Sequence, residues 1–254
     1  MIIKKSPQEL EKMRRSGRIL ADTIDRVVAA VEPGVTTLEL DRLAESLIRD
    51  AGAVPSFKGY RGFPATICAS INAEIVHGIP SRSRVLEEAD VLSLDFGAIW
   101  EGFHSDSAVT VFVGGIAPNG DAERLVKTTE AALDAAISVI TPDGRLSDIG
   151  NAIETVAVRE GLGVVREYGG HGIGRSMHED PFIQNWGPPG RGPELRPGLV
   201  IAVEPMLNLG EDATRLLGDG WTVVTADGSL SAHFEHTVAV THNGHEVLTA
   251  RNGS

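Results

Sequence analysis

The chain has 254 residues, of which 42% are hydrophobic, so it is long enough to form one large domain with a buried core. Its formal net charge of −12 argues against direct nucleic-acid binding, which normally needs a basic surface. A single cysteine, Cys68, excludes an internal disulfide, and no apolar run approaches the roughly 18 residues of a membrane span. We therefore expect a soluble cytoplasmic protein that binds neither nucleic acid nor membrane.

The first half of the chain is predicted to contain two helices and then strands. Ser6 opens a capping box that begins the first helix, and Pro33 lies in the turn that is predicted to end it. Thr36 opens a second capping box, and the helix that follows is predicted to reach about Gly52. Runs rich in apolar and β-branched residues then predict strands at 66–71, 91–100 and 105–113.

The second half repeats this order of elements. A helix is predicted from 121 to about 140, and Ser147 is predicted to cap another helix that ends at Gly161. Strand-like runs follow at 164–168, 199–207, 221–225 and 232–241.

The two halves align where their strands carry acids. Residues 91–95 match residues 200–204 at an offset of 109, so that Asp95 corresponds to Glu204. Beyond a 20-residue insertion the offset is 129, and the matching pairs are His104 with His233 and Asp106 with Glu235. Each half therefore ends in two strands with one acid on each. This pattern predicts a single domain, 1–254, with an internal duplication of about 1–115 and 116–254.

Four acids on apolar strands indicate a metal site. A buried carboxylate is costly without a compensating cation, and several in one site repel each other and raise one another's pKa values. A solvated strand face would explain a single acid of this kind. Two acids in each half, at matching positions of the repeat, favour a metal site instead. Two divalent cations roughly 3.5–4 Å apart could bridge four carboxylates brought together by a pseudo-two-fold axis. With His171 as the imidazole ligand, this donor set suits Mn, Fe, Co or Zn.

Other chemistries fit these residues less well. The glycine-rich run at 169–174 lacks the G-x-G-x-x-G spacing of a nucleotide-binding loop. Cys68 has no adjacent histidine or helix start that would make it a nucleophile, so it is better explained as an apolar wall residue. His77 and His178 are not diagnostic by themselves.

Together, these residues resemble the five-ligand set of the methionine aminopeptidases. The resemblance covers essentially the whole chain and depends on Leu94-Asp95-Phe96-Gly97, Asp106, His171, Glu204-Pro205, Glu235-His236, and Asn72 with residues 77–80. It implies an α/β (α+β) protein with the pita-bread fold, in which two duplicated halves wrap around a central antiparallel sheet.

The resemblance implies two divalent ions per chain. Asp95 would chelate one ion, and His171 and Glu204 would hold the other. Asp106 and Glu235 would bridge both ions. Glu204 would also handle the proton of the attacking water.

The resemblance also implies a substrate site beside the ions. His77 and His178 would contact the substrate, with His178 polarising the scissile carbonyl. Met177 occupies a position where relatives often carry an aromatic residue, in the wall of a methionine pocket whose other residues would be Tyr60, Phe63, Cys68 and Trp221. A monovalent cation would bind near Asn72 and Ser231.

The implied activity is removal of the initiator methionine from nascent proteins whose second residue is small. The chain shows no long amino-terminal extension, and only 25 residues separate His178 from Glu204, which leaves no room for the helical insertion of type II relatives. The resemblance therefore favours a short, bacterial-style type I enzyme. We expect a monomer that acts on nascent-chain amino termini, with the ribosome as a partner.

Two alternatives use the same fold. A prolidase or aminopeptidase P would carry the same five ligands, but such enzymes usually have a substantial extra amino-terminal domain. A non-catalytic binding protein would be expected to lose ligands, whereas all five are present in this chain. Hydrolysis of Met-Ala-Ser compared with Xaa-Pro peptides distinguishes these functions.

Overall fold

Four helices occur in two consecutive pairs. The computed structural model describes residues 2–251, and its helices are α1 (Pro7–Val28), α2 (Thr37–Asp50), α3 (Gly120–Ser138) and α4 (Leu146–Arg159). Single turns of 3₁₀-helix lie at Tyr60–Gly62 and Val113–Gly115. Helix α1 packs on α2 and α3 packs on α4, so both predicted helix pairs are present.

Reciprocal capping interactions begin α1 and α2. The Ser6 hydroxyl accepts a hydrogen bond from the Glu9 N–H at 3.3 Å, and the Glu9 carboxylate accepts one from the Ser6 N–H at 2.9 Å. Thr36 and Glu39 make the same two bonds at 3.3 and 2.8 Å. The capping boxes seen in the sequence therefore define both helix starts.

Two helix boundaries differ from the prediction. Helix α1 ends at Val28, earlier than predicted, because the backbone amides of residues 30 and 31 bond only three residues back, as in a turn. Helix α4 begins at Leu146, so Ser147 is not its cap. The Asp148 carboxylate instead accepts the Arg145 N–H at 2.7 Å and starts the helix earlier.

The strands are short except in one long hairpin. In chain order they are β1 (Val54–Pro55), β2 (Ile67–Ile71), β3 (Glu74–Val76), β4 (Val91–Trp100), β5 (Phe103–Phe112), β6 (Gly163–Val164), β7 (Gly170–Gly172), β8 (Glu179–Ile183), β9 (Val200–Val203), β10 (Met206–Asn208), β11 (Thr214–Leu216), β12 (Val223–Thr225), β13 (Ser231–His233), β14 (His236–Thr241) and β15 (Gly244–Val247). Strands β6 and β12 are shorter than the predicted runs at 164–168 and 221–225.

All pairings between these strands are antiparallel. Strand β4 pairs with β5 on one side and with β2 and β1 on the other. The second large sheet has the order β15-β14-β9-β7-β8, and two small sheets have the orders β13-β10-β6 and β11-β12-β3. Helices packed on antiparallel sheets agree with the predicted fold class.

An acid interrupts each of two predicted strands, those at 199–207 and 232–241. Glu204 is followed by Pro205, which has no N–H to donate to a sheet, so β9 stops before this pair and β10 follows it. Glu235 separates β13 from β14 because its N–H donates to the Ala108 carbonyl at 3.0 Å. Both breaks therefore coincide with acids of the predicted metal site.

The acid-bearing strands form two antiparallel pairs that meet along β5 and β14. One is the hairpin β4–β5, and the other is β9–β14, which we call the second hairpin although β10–β13 lie between its strands in the chain. Ala108 and Glu235 exchange backbone hydrogen bonds of 3.3 and 3.0 Å. The Thr237 hydroxyl accepts the Asp106 N–H at 2.9 Å and donates to the Asp106 carbonyl at 2.7 Å. We call this contact, formed by Asp106, Ala108, Glu235 and Thr237, the seam. It places the acids of the two hairpins side by side.

The largest cluster of buried apolar side chains includes residues from both halves of the chain. Leu20 and Ile48 of the first helix pair belong to it, as do Ile153 of α4 and Ile201 of β9. Within residues 2–251, no helix combines the length and the apolar character that crossing a bilayer requires.

Helix α1 makes a close backbone contact near the end of the chain. A Cβ atom on Gly17 would lie 2.1 Å from the Leu248 carbonyl oxygen, a distance that real Cβ atoms do not adopt. A glycine is therefore required at this point of the helix, although glycine lowers helix propensity.

Gly17→Ala should destabilise the protein by about 1–3 kcal/mol, because the added methyl group would overlap the backbone of Leu248. Gly120→Ala is the matched control, since no atom lies within 4 Å of a Cβ at that position. The control should be neutral or stabilising. Urea unfolding measures both changes, and equal free energies of unfolding for the two variants would contradict the close contact.

Candidate active site

The first hairpin presents two carboxylates on one face. Asp106 pairs with Gly97 across the hairpin, and Gly97 lies two residues from Asp95 along β4. Alternate residues of a strand share a face, so the two aspartates are diagonal neighbours on the same side. Each carboxyl group is close enough to shift the pKa of the other.

The second hairpin presents two glutamates in the same way, and the neighbouring strand β7 adds a histidine. The last pair of the β9–β14 ladder directly adjoins Glu204 and Glu235, which therefore face each other. His171 on β7 pairs with Ala202, two residues before Glu204, and so shares its face.

All five predicted ligands converge near the seam. His171 Nε2 lies 3.7 Å from Asp106 Oδ2 and 3.7 Å from Glu204 Oε1. Asp106, His171 and Glu235 each offer a ligand atom, and these atoms lie within 4.8 Å of one another. Asp95 lies outside this set but adjoins Asp106.

A sixth residue, His233, joins the cluster without having been predicted as a ligand. It forms a second set with Glu204 and Glu235, whose ligand atoms also lie within 4.8 Å of one another. The sequence signal that could have pointed to it is its position two residues before Glu235, because that spacing puts two side chains on one face of an extended segment.

The carboxylates have the chemistry that a divalent cation requires. Asp95 Oδ1, Asp106 Oδ1 and Glu235 Oε1 are buried and have no hydrogen-bond partner within residues 2–251. A buried polar atom without a partner costs free energy, and most such atoms in proteins are satisfied. Cation coordination would satisfy all three oxygens, so these residues fit a metal centre.

Burial shifts the pKa values of the cluster strongly. It raises the pKa of Asp95 to about 7, and it raises the pKa values of Asp106, Glu204 and Glu235 well above their usual range. Repulsion between neighbouring carboxylates adds to burial for the last three. Burial also lowers the pKa of His171 to about 4, so its imidazole is neutral near pH 7, which is the form that binds metal.

A cavity of about 290 Å³ opens beside the carboxylates. Phe57 and Met177 line it together with the four predicted pocket residues, Tyr60, Phe63, Cys68 and Trp221. The rings of Phe63 and Trp221 pack edge to face, 5.1 Å apart. Burial raises the pKa of the Cys68 thiol well above its usual value, so the thiol is neutral. The wall therefore suits an apolar side chain.

Both predicted substrate-contacting histidines line this cavity. His178 Nδ1 lies 2.9 Å from the Tyr60 hydroxyl, and its ring lies 4.1 Å from the ring of His171. Burial and the neighbouring His171 lower the pKa of His178 to about 3, so its ring is also neutral near pH 7. His77 packs edge-on against Trp221 at 6.3 Å.

Asn72 and Ser231 lie next to each other, since the Ser231 N–H donates to the Asn72 carbonyl at 2.9 Å. The Asn72 side chain donates to Asp90 at 2.8 Å and accepts the Val91 N–H at 2.9 Å, while the Ser231 hydroxyl donates to the Leu207 carbonyl at 3.2 Å. A monovalent cation at this position stays a prediction.

Comparison with known proteins identifies the family to which this chain belongs. The family model of metallopeptidase family M24 matches residues 11–242. The protein named methionine aminopeptidase 1 of Bacillus subtilis is 50% identical over 98% of this chain and 99% of its own length. The chain belongs to metallopeptidase family M24, among the type I methionine aminopeptidases. Methionine aminopeptidase 1 of Mycobacterium tuberculosis is 49% identical over 98% of this chain and 95% of that protein.

Solved structures of other peptidases have the same fold. The crystal structure of methionine aminopeptidase from Thermotoga maritima matches with a TM-score of 0.96 and 41% identity, over 99% of this chain and all of that one. This match confirms the predicted pita-bread fold. The prolidase of Pyrococcus horikoshii matches with a TM-score of 0.80 but only 22% identity, over 65% of its chain, so it shares the fold alone.

Metal dependence follows from the family and the cluster together. Family M24 consists of metallopeptidases, and Asp106, His171 and Glu235 are grouped as ligands of one ion would be. The chain is therefore an enzyme that uses divalent metal.

Metal-free protein should lose stability as the pH rises from about 5 to 8. Because the folded-state pKa of Asp95 is about 7, above the ordinary value of 3.8, its contribution to stability is full below that ordinary value and is lost as the pH rises through 7. Asp95→Asn should therefore reduce the loss. Denaturant unfolding in the presence of a chelator measures it.

Asp227→Asn serves as the control for this measurement. Backbone hydrogen bonds lower the pKa of Asp227 to about 2, so it does not titrate between pH 5 and 8. Its replacement should leave the pH dependence unchanged. If Asp95→Asn and the wild type lose stability equally over this range, burial of the Asp95 carboxyl does not control the pH dependence.

Proposed function

We propose that the enzyme removes the amino-terminal methionine from polypeptides, with two divalent ions held between its hairpins. The observation that carries this proposal is the convergence of five potential ligands beside an apolar cavity, and these are Asp95, Asp106, His171, Glu204 and Glu235. Relatives named methionine aminopeptidase, which match the chain over nearly its whole length, support the choice of substrate.

The positions of the acids support a division of the ligands between two ions. Asp106 and Glu235 lie at the seam, where each adjoins the other hairpin, so they suit the bridging role. Asp95 is on the far strand of the first hairpin and would bind only one of the two ions, without bridging them. Glu204, beside His171, would bind the other ion. Carboxylates with an imidazole suit Mn, Fe, Co or Zn.

The ions would supply Lewis acidity and would lower the pKa of a water molecule to roughly 7. Glu204 is partly exposed and lines the cavity, so one of its carboxylate oxygens would take up the proton that this water loses. General base catalysis of this kind needs a carboxylate within hydrogen-bond reach of the water.

His178 would donate a hydrogen bond to the scissile carbonyl. Its ring is neutral, and the Tyr60 hydroxyl at 2.9 Å can donate to Nδ1. The proton of the imidazole would then reside on Nε2, which would stabilise the oxyanion that forms at the carbonyl. His77, which also lines the cavity and packs against Trp221, would contact the substrate backbone.

The methionine side chain would occupy the apolar part of the cavity, which His77 also lines. Cys68 pairs with Asp95 between strands β2 and β4, so the floor of the pocket adjoins the metal end of the site. This arrangement would put the free α-amino group beside the metal ligands while the thioether contacts Phe63 and Trp221. Because the pocket lies next to the metal ligands, the enzyme would then select amino-terminal residues.

We further propose that the enzyme acts as a monomer on nascent chains in the cytoplasm, near the ribosome. Its architecture would be one domain built by duplication, because helix pairs precede acid-bearing hairpins in both halves. The closest rival activity is that of proline-specific peptidases, which share the fold. Hydrolysis of Met-Ala-Ser without hydrolysis of Ala-Pro peptides is the result expected of the purified enzyme.

Two substitutions should separate metal binding from chemistry. Asp106→Ala should abolish hydrolysis of Met-Ala-Ser and reduce the number of bound ions, because it removes a bridging ligand. His178→Ala should lower kcat roughly 10²–10³-fold while both ions stay bound. Isothermal titration and peptide assays measure the two effects. Activity that survives chelation would refute the metal mechanism, and loss of an ion in His178→Ala would refute the assignment of that histidine.

The second residue of the substrate should control the rate. The chain itself begins with Met1 and Ile2, and a β-branched isoleucine beside the reacting carbonyl would crowd the metal-site wall. A small misplacement of the carbonyl can cost about 10²-fold in rate. We expect Met-Ala-Ile-Lys to be cleaved about 10²-fold faster than Met-Ile-Ile-Lys, and mass spectrometry of the products measures both rates. Equal cleavage of the two peptides would exclude a small-residue rule.

A further inference from the structure

His233 has a buried nitrogen atom that faces two carboxylates. Only 2% of the side chain is exposed, and Nε2 has no hydrogen-bond partner within residues 2–251. The nearest acidic oxygens are Glu204 Oε2 and Glu235 Oε2, each 3.9 Å away. These distances are too long for hydrogen bonds, so an atom that interacts with all three side chains would complete the arrangement.

The backbone holds His233 firmly in this position. Its N–H donates to the Thr110 hydroxyl at 2.9 Å, and its carbonyl accepts from the same hydroxyl at 2.8 Å. His233 also pairs with Met206 between β13 and β10. The residue is therefore attached to the first hairpin through β5 and to the second half through β10, and its ring is directed into the site from a rigid support.

We propose that His233 is an additional ligand, through Nε2, of a divalent ion held by Glu204 and Glu235. The inference rests on the proposed two-ion centre and extends its donor set to two imidazoles. Ligand atoms that lie roughly 2.0–2.2 Å from one ion can be at most about 4.4 Å apart, and the two separations of 3.9 Å satisfy this limit.

The second imidazole makes the centre asymmetric. Glu204 lies between two histidines, with Oε1 3.7 Å from His171 and Oε2 3.9 Å from His233. His104, which corresponds to His233 in the first half of the chain, contacts the Ser56 hydroxyl through Nδ1 instead. Imidazole favours Zn and Co over harder ions such as Mn, so the ion at Glu204 should be the more selective of the two.

Metal titration of His233→Gln tests this ligand. Glutamine is neutral and of similar size, and we expect the dissociation constant for Zn²⁺ or Co²⁺ at one of two sites to rise at least about tenfold. Mn²⁺ affinity should change less, and the visible spectrum of the Co²⁺ form should change. His245→Gln, at an exposed position on β15, is the matched control and should match the wild type in each measurement.

A measurement on the wild-type protein avoids any dependence on the variant's folding. With ¹¹³Cd²⁺ bound at both sites, the nuclear magnetic resonance spectra should show coupling of cadmium to nitrogen atoms of two histidines. Coupling to one histidine only, or unchanged Zn²⁺ affinity in a folded His233→Gln protein, would overturn the proposal and leave the two-ion centre intact. Failure of the wild type to bind any divalent ion would instead overturn the centre and this ligand together.

Discussion

The hydrogen bonds that Ala108 and Glu235 exchange hold β5 and β14 side by side. They act at the level of the backbone, so their geometry does not depend on the rotamers of long acidic side chains. The adjoining Thr237 hydroxyl binds both the N–H and the carbonyl of Asp106. These bonds fix the backbone of Asp106, as the bonds to Ala108 fix that of Glu235. The ligand cluster, the cavity beside it and the position of His233 all depend on this junction.

That junction places a group of carboxylates in an apolar interior, which is unfavourable in free energy. Their pKa values are raised mainly by burial, which means that the charged state is disfavoured until a cation arrives. The same burial that makes the metal-free cluster unfavourable would make it bind cations strongly, because little water competes for the oxygens. Stability of the empty protein and affinity for metal are therefore opposed in this fold.

Sequence patterns predicted the features that depend on neighbours in the chain. The capping boxes at Ser6 and Thr36 are local, and the Asp95–Asp106 pair follows from one hairpin. The repeat and the family resemblance indicated the remaining ligands. The early end of α1 and the start of α4 depend on hydrogen bonds between residues three apart, which the sequence offers at more than one position. The convergence of His233 depends on partner strands distant in sequence, and no local pattern specifies those partners.

The length of chain between the two sides of the seam also has a consequence for folding. Asp106 and Thr237, which bond to each other, are 131 residues apart, and closing so long a loop is slow and entropically costly. The first hairpin alone contributes only two of the acids. The complete metal site should therefore form in one of the last steps of folding, after the second half has been synthesised. A growing chain of this enzyme would be protected from capturing ions before its structure is ready to hold them.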